Sequence, residues 1–142
     1  MIESDSARIF VDTAPFIYLL EDNERYIAKM QDIFGRFMAK GVYLFISTIT
    51  FEEYLVHPYR THQAQKENAF LDFVQDANIR VIAIDVDIAK AAAKIRAEHP
   101  SFRAMDALQL AAAVQWGCGG FLTNDRQLRS FTGTTCLLVD EL

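Results

Sequence analysis

The chain has 142 residues, of which 51% are hydrophobic and 23% charged, a composition that excludes disordered, collagen-like and mucin-like chains. That length suits a single domain spanning residues 1–142, with a core burying roughly 68% of the unfolded surface. A net charge of −5, from 14 basic and 19 acidic side chains, argues against nucleic-acid binding by broad electrostatics alone. It leaves room for an enzyme whose surplus carboxylates hold cations. Cys118 and Cys136 are too few for a disulfide framework and lie in no zinc-type cluster, so reduced, buried thiols in a cytoplasmic protein are expected. No apolar run approaches a membrane span of ~18 residues. The start, Met1-Ile2-Glu3-Ser4-Asp5, is acidic where a secretory signal is basic.

Arg8 to Asp12 reads as a short buried strand, and Pro15 suits the first turn of a helix through Leu20. From Glu24 to Lys40 the apolar residues Ile27, Met30, Ile33, Phe34, Phe37 and Met38 recur at three and four, an amphipathic helix closed by Gly41. Val42 to Ile46 is a second strand. Ser47-Thr48-Ile49-Thr50 offers N-caps for a helix that Pro58 is expected to stop near His57. Beyond the polar stretch Tyr59 to Gln63, a helix carries Phe70, Leu71 and Val74, and Arg80 to Ile84 makes a third strand. Asp87 is expected to cap a helix bearing Ile88, Ala89, Ala92 and Ile95, which ends before Pro100. Met105 to Trp116 is helical with Gly117 as its stop; Gly120–Thr123 and Cys136–Val139 are short strands, separated by a helical turn at Arg126–Ser130. Strands alternating with helices specify parallel pairing with right-handed crossovers, hence a three-layer α/β/α domain. Periodicity leaves the strand order open.

In such sheets, functional residues gather at the carboxyl ends of strands, near the point where strand order reverses. Asp12 ends the first strand and Asp125 follows the fourth. Each is equally readable as a plain helix cap. Glu53, three residues after Thr50, matches a capping box, and its neighbour Glu52 points about 100° away around the helix. Asp106 opens the nearly uncharged run Ala107–Ala113. A carboxylate at the start of so apolar a helix requires a partner: the helix amides, Arg103 or a metal ion.

Four converging carboxylates without a counter-ion would raise one another's pKa. A hard divalent cation relieves this, and an oxygen-only donor set favours Mg²⁺ or Mn²⁺ over zinc. His57, His62 and His99 lack ligand spacing. The absence of a phosphate-binding P-loop, a GxGxxG fingerprint and a GxSxG elbow excludes the matching kinases, dinucleotide enzymes and α/β-hydrolases.

Four segments then resemble one family. Ile9-Phe10-Val11-Asp12-Thr13-Ala14-Pro15-Phe16-Ile17-Tyr18-Leu19-Leu20-Glu21 resembles the opening of PIN-domain ribonucleases, particularly the VapC-type toxins of prokaryotic toxin–antitoxin pairs. Ser47-Thr48-Ile49-Thr50-Phe51-Glu52-Glu53 is similar to their second motif, whose acid lies six residues after the serine and so selects Glu53 over Glu52. Arg103 to Ala111 resembles the third motif and Phe121 to Leu128 the fourth. The resemblance implies a five-stranded parallel sheet in the order 3-2-1-4-5, and Mg²⁺-dependent (or Mn²⁺-dependent) endonucleolytic hydrolysis of single-stranded or structured RNA. It implies Asp12, Glu53, Asp106 and Asp125 as catalytic, metal-holding acids, with Thr13, Thr123 and Asn124 supporting ligands or waters. A cognate antitoxin and a homodimer are its implied partners.

With four acids neutralised by metal, the net charge of −5 becomes −1. Arg25, Lys29, Arg36, Arg60, Lys66, Arg96, Arg103 and Arg126 are then candidates for an RNA path, although an ordinary solvated charge is the better reading of any one of them. The competing readings are a solitary PIN nuclease of RNA processing, a flap-type DNA nuclease, a catalytically inactive PIN-like interaction module, and a receiver-like phospho-acceptor domain. The last lacks paired acids after strand one and a lysine after the last strand. Phe16 to Leu20, apolar all round, is expected to leave a face for an antitoxin or second protomer, with Tyr18 on it and remote from the acids.

Overall fold

The structure, a computed structural model, describes residues 7–142, so the acidic start Met1–Asp5 lies outside the described residues. Five parallel strands, β1 (Arg8–Val11), β2 (Tyr43–Ser47), β3 (Arg80–Ile82), β4 (Gly120–Thr123) and β5 (Thr135–Leu138), pair in the order β3-β2-β1-β4-β5. This is the order that the resemblance implies. Among the described residues six α-helices, α1 (Thr13–Leu20), α2 (Ile27–Ala39), α3 (Thr48–Arg60), α4 (Ala64–Asp76), α5 (Val86–Glu98) and α6 (Ala104–Gln115), link the first four strands, and a 3₁₀ turn (Arg126–Ser130) joins β4 to β5. Among the described residues no helix is long and apolar enough to cross a membrane.

Side chains alternate across each strand, so the sheet builds two cores. Ile9, Val11, Leu44, Ile46 and Leu122 face α1 to α4 and meet Phe16, Met30, Ile33, Phe34, Tyr54 and Phe70. On the other face Phe10, Phe45 and Phe121 meet Ile88, Ala92 and Ile95 of α5 and the alanine-rich side of α6. Phe10 and Phe121 stack across the β1–β4 pair, with ring centroids 5.3 Å apart. Small residues let α6 lie close over these rings, and the Trp116 carbonyl at its far end accepts from the Arg8 guanidinium at the start of β1, so its first turn lies toward the carboxyl end of the sheet. Cys118 is buried and Cys136 half-buried, both as free thiols, and burial pushes their pKa values up to about 12 and about 11.

Several element ends differ from the expected ones. Helix α3 runs through Pro58 to Arg60, because a proline near the last turn forfeits one backbone bond without ending the helix. Asp85, not Asp87, caps α5, accepting the Ile88 amide at 2.9 Å. Strand β3 stops at Ile82, which pairs with Ser47, the last residue of β2; beyond that point the Ile84 amide turns to the Thr48 hydroxyl. Helix α2 begins at Ile27 rather than Glu24, since the Asn23 side chain accepts the amides of Arg25 and Tyr26 and holds them in a turn. The stops at Gly41 and Gly117 are as expected, both at φ +69°, where a side chain is strained. The expected free face of α1 is reduced: Phe16 is fully buried, and Ile17, Tyr18, Leu19 and Leu20 pack against the first core. Tyr18 stacks on Tyr26 at 4.2 Å.

Phe70 ties α4 to α1 and α3, with its ring 5.7 Å from Phe16, 4.7 Å from Phe51 and 4.9 Å from Tyr54. Phe70→Ala leaves a cavity at this junction and should cost about 3–5 kcal/mol in urea unfolding. A loss under ~1 kcal/mol would show that the junction collapses without it.

Candidate active site

Because β1 and β4 are neighbours in register, with Val11 opposite Leu122, the residues that follow them emerge side by side. Asp12 N-caps α1: one oxygen accepts the Thr13 amide at 2.9 Å and the other accepts the Thr123 hydroxyl at 2.8 Å. Thr123 in turn accepts the Asp125 amide at 3.1 Å, so one buried hydroxyl fixes the ends of both strands. Asp125 caps the following 3₁₀ turn through the Gln127 amide. The cap role and the cleft position therefore coexist in both aspartates. Asn124 braces the outer wall, its amide donating to Tyr26 Oη at 3.1 Å and its carbonyl accepting from Asp140.

Glu53 is held from beneath. Thr13 Oγ1 donates to Glu53 Oε1 at 2.6 Å, which uses the only proton that hydroxyl has. Thr50, 3.2 Å from Thr13, must then be the donor in their contact. Gln109 completes the support: its amide faces Thr13 and Thr50, and its carbonyl accepts the Ser47 hydroxyl at 2.5 Å. Thr13, Ser47, Thr50 and Gln109 are all buried, and none of the buried side-chain polar atoms among the described residues lacks a partner. The capping-box reading of Thr50 and Glu53 is not realised, because Ser47 is the N-cap of α3, accepting the Ile49 amide. Sequence reasoning missed Gln109 as the keystone of this network. The available signal was a lone amide inside the apolar run Ala107–Ala113.

Asp106, in the first turn of α6, pairs with Arg103, whose Nε lies 3.1 Å from Oδ2. The same guanidinium comes within 3.9 Å of Asp125. Two adjoining depressions result, of about 460 and 320 Å³, which share Asp12, Ala14, Arg103 and Asp106. The larger adds Tyr18, Thr123, Asn124, Asp125 and Arg126; the smaller adds Thr13, Ile17, Glu53, Met105 and Gln109. All four acids are thus brought to one cleft, Glu52 lines neither part, and Tyr18 sits on the rim instead of a remote face.

Burial, and to a lesser degree the charges of Asp106 and Glu53, outweigh the hydrogen bonds to Asp12 and raise its pKa from 3.8 to about 6. Among the described residues no three His, Cys, Asp or Glu side chains converge closely enough to hold an ion in this arrangement. Arg103 neutralises Asp106, whereas Asp12 is met only by a hydroxyl and an amide. The donor set fits a hard divalent cation in kind: it is all oxygen, acidic, and short of positive charge at Asp12.

The raised pKa fixes a sign. Between 3.8 and about 6 the folded state holds a proton that the unfolded state has released, so Asp12 lowers stability as pH rises through that window. Asp12→Asn removes the ionisation. In metal-free buffer its stability relative to wild type should rise by about 2–3 kcal/mol between pH 4 and 7, measured by denaturant unfolding. Parallel pH profiles would contradict the raised pKa.

The geometry agrees with comparisons to known proteins. A family model described as the PIN domain matches residues 9–133. A chain from a toxin–antitoxin complex of Klebsiella pneumoniae superposes with a TM-score of 0.69 at 23% identity, covering 94% of this chain and 98% of that one. A chain of VapBC2 from Rickettsia felis, bound to a DNA fragment from its promoter, gives 0.72 at 13% identity, covering 92% and 98%. A chain of FitAB bound to a DNA fragment gives 0.66 at 20% identity, covering 92% and 94%. No curated protein sequence matches. The chain belongs to the PIN domain family.

Proposed function

We propose that this chain is a metal-dependent endoribonuclease that hydrolyses phosphodiester bonds of single-stranded RNA, as the toxin of a toxin–antitoxin pair. The observation that carries the reading is the gathering of four carboxylates, from the ends of β1 and β4 and the starts of α3 and α6, into one open cleft. In this reading Asp12, Glu53, Asp106 and Asp125 hold Mg²⁺ or Mn²⁺. Bound there, the cation would neutralise charge on the phosphodiester and acidify the attacking water. The hydroxyls and the amide beneath Glu53 and Asp12 keep those carboxylates aimed before substrate arrives, so little reorganisation is left for the reaction. Arg126, on the rim, provides a cation for the RNA backbone. Family membership and the superposed toxin–antitoxin chain support a cognate antitoxin as partner. A homodimer and a cytoplasmic location belong to the same proposal.

Glu53 and Glu52 separate this reading from a purely structural one, since Glu53 lines the cleft and Glu52 does not. The purified chain should cleave single-stranded RNA with Mg²⁺ and stop when the metal is chelated. Glu53→Gln should lose at least about 100-fold in rate, while Glu52→Gln stays near wild type. Equal losses in both variants would move the site elsewhere, and cleavage of DNA but not RNA would overturn the substrate class.

A further inference from the structure

Arg103 is the basic side chain shared by both halves of the cleft. It precedes α6 in extended backbone and makes no side-chain cap of that helix. Its guanidinium spans two of the acids, at 3.1 Å from Asp106 and 3.9 Å from Asp125, while its own side chain stays 80% exposed. Asp106 is mostly buried, but the guanidinium end of the pair is open to water, where ion pairs are weak. Swinging the guanidinium into water therefore costs little.

We propose that Arg103 is a displaceable counter-ion of the acid cluster: it occupies Asp106 and screens Asp125 in the metal-free protein, and a divalent cation must expel it to bind. The inference rests on reading the cluster as a metal site. A guanidinium and a divalent cation cannot both face the same carboxylate oxygen without strong repulsion. Arg103 engages Oδ2 of Asp106, one of the two oxygens this carboxylate could offer to a cation. Such a device relieves the repulsion between Asp106 and Asp125 without metal and makes occupancy depend on competition. It also predicts that deleting a positive charge from the cleft improves the binding of a positive ion, opposite to what is expected if Arg103 merely holds Asp106 in a ligating pose.

Mn²⁺ titration of the metal-free protein, without RNA, followed by calorimetry and by loss of the free-Mn²⁺ electron paramagnetic signal, tests this. Arg103→Gln should bind Mn²⁺ roughly two- to fivefold more tightly than wild type, the range that loss of a pair open to water at its guanidinium end allows. Arg103→Lys, which keeps the charge without the planar fork, should fall between them. Equal or weaker binding by Arg103→Gln would overturn the counter-ion role while leaving the metal site standing. A wild-type protein that binds no Mn²⁺ at all would overturn the metal site and this role together.

Discussion

Four carboxylates face one cleft at the carboxyl end of a parallel sheet, and the polar architecture of this chain supplies each of them with a partner. The sheet order makes the gathering unavoidable: β1 and β4 lie side by side, so Asp12 and the residues beyond Thr123 emerge together. Each acid is then held by a different partner. Asp12 rests on the Thr123 hydroxyl and the first amide of α1, Glu53 on the Thr13 hydroxyl, and Asp106 on Arg103. Asp125 is fixed by the turn it caps and approached by the same arginine. Burial, more than the charges of Asp106 and Glu53, raises the pKa of Asp12 to about 6.

The buried polar chain from Ser47 through Gln109 to Thr13 and Thr50 links α6, on one face of the sheet, to α1 and α3 on the other. An apolar core cannot orient a carboxylate, because dispersion contacts are non-directional. Fully satisfied hydrogen bonds can, and burying them without orphans removes the cost of having polar groups there. The two cores hold the layers together, and this network sets the angle at which Glu53 enters the cleft.

Much of this is legible in the amino-acid order. The apolar runs ending at Asp12 and Thr123, and the uncharged helix behind Asp106, place the acids at element ends. Strand order was not legible from periodicity, because side-chain alternation says which residues are buried and not which strands are neighbours; it came through resemblance to PIN-domain proteins. Local competition accounts for the misplaced boundaries. Asn23 captured two amides that α2 was expected to use, Asp85 outcompeted Asp87 two residues away, and Pro58 lay too near the end of α3 to stop it. Tyr18 is not remote from the acids: an apolar helix turn shows no face of its own, and stacking on Tyr26 accompanies its place on the cleft rim.

The central claim is that these acids form a metal centre. Crystals of the metal-free protein soaked in Mn²⁺, with data collected at the manganese absorption edge, test it without recourse to activity. The account predicts an anomalous peak in the cleft lined by Asp12 and Asp106, at the carboxyl end of the sheet, with Arg103 turned away from Asp106. A cleft that stays without a peak at saturating Mn²⁺, with Arg103 still on Asp106, would contradict it.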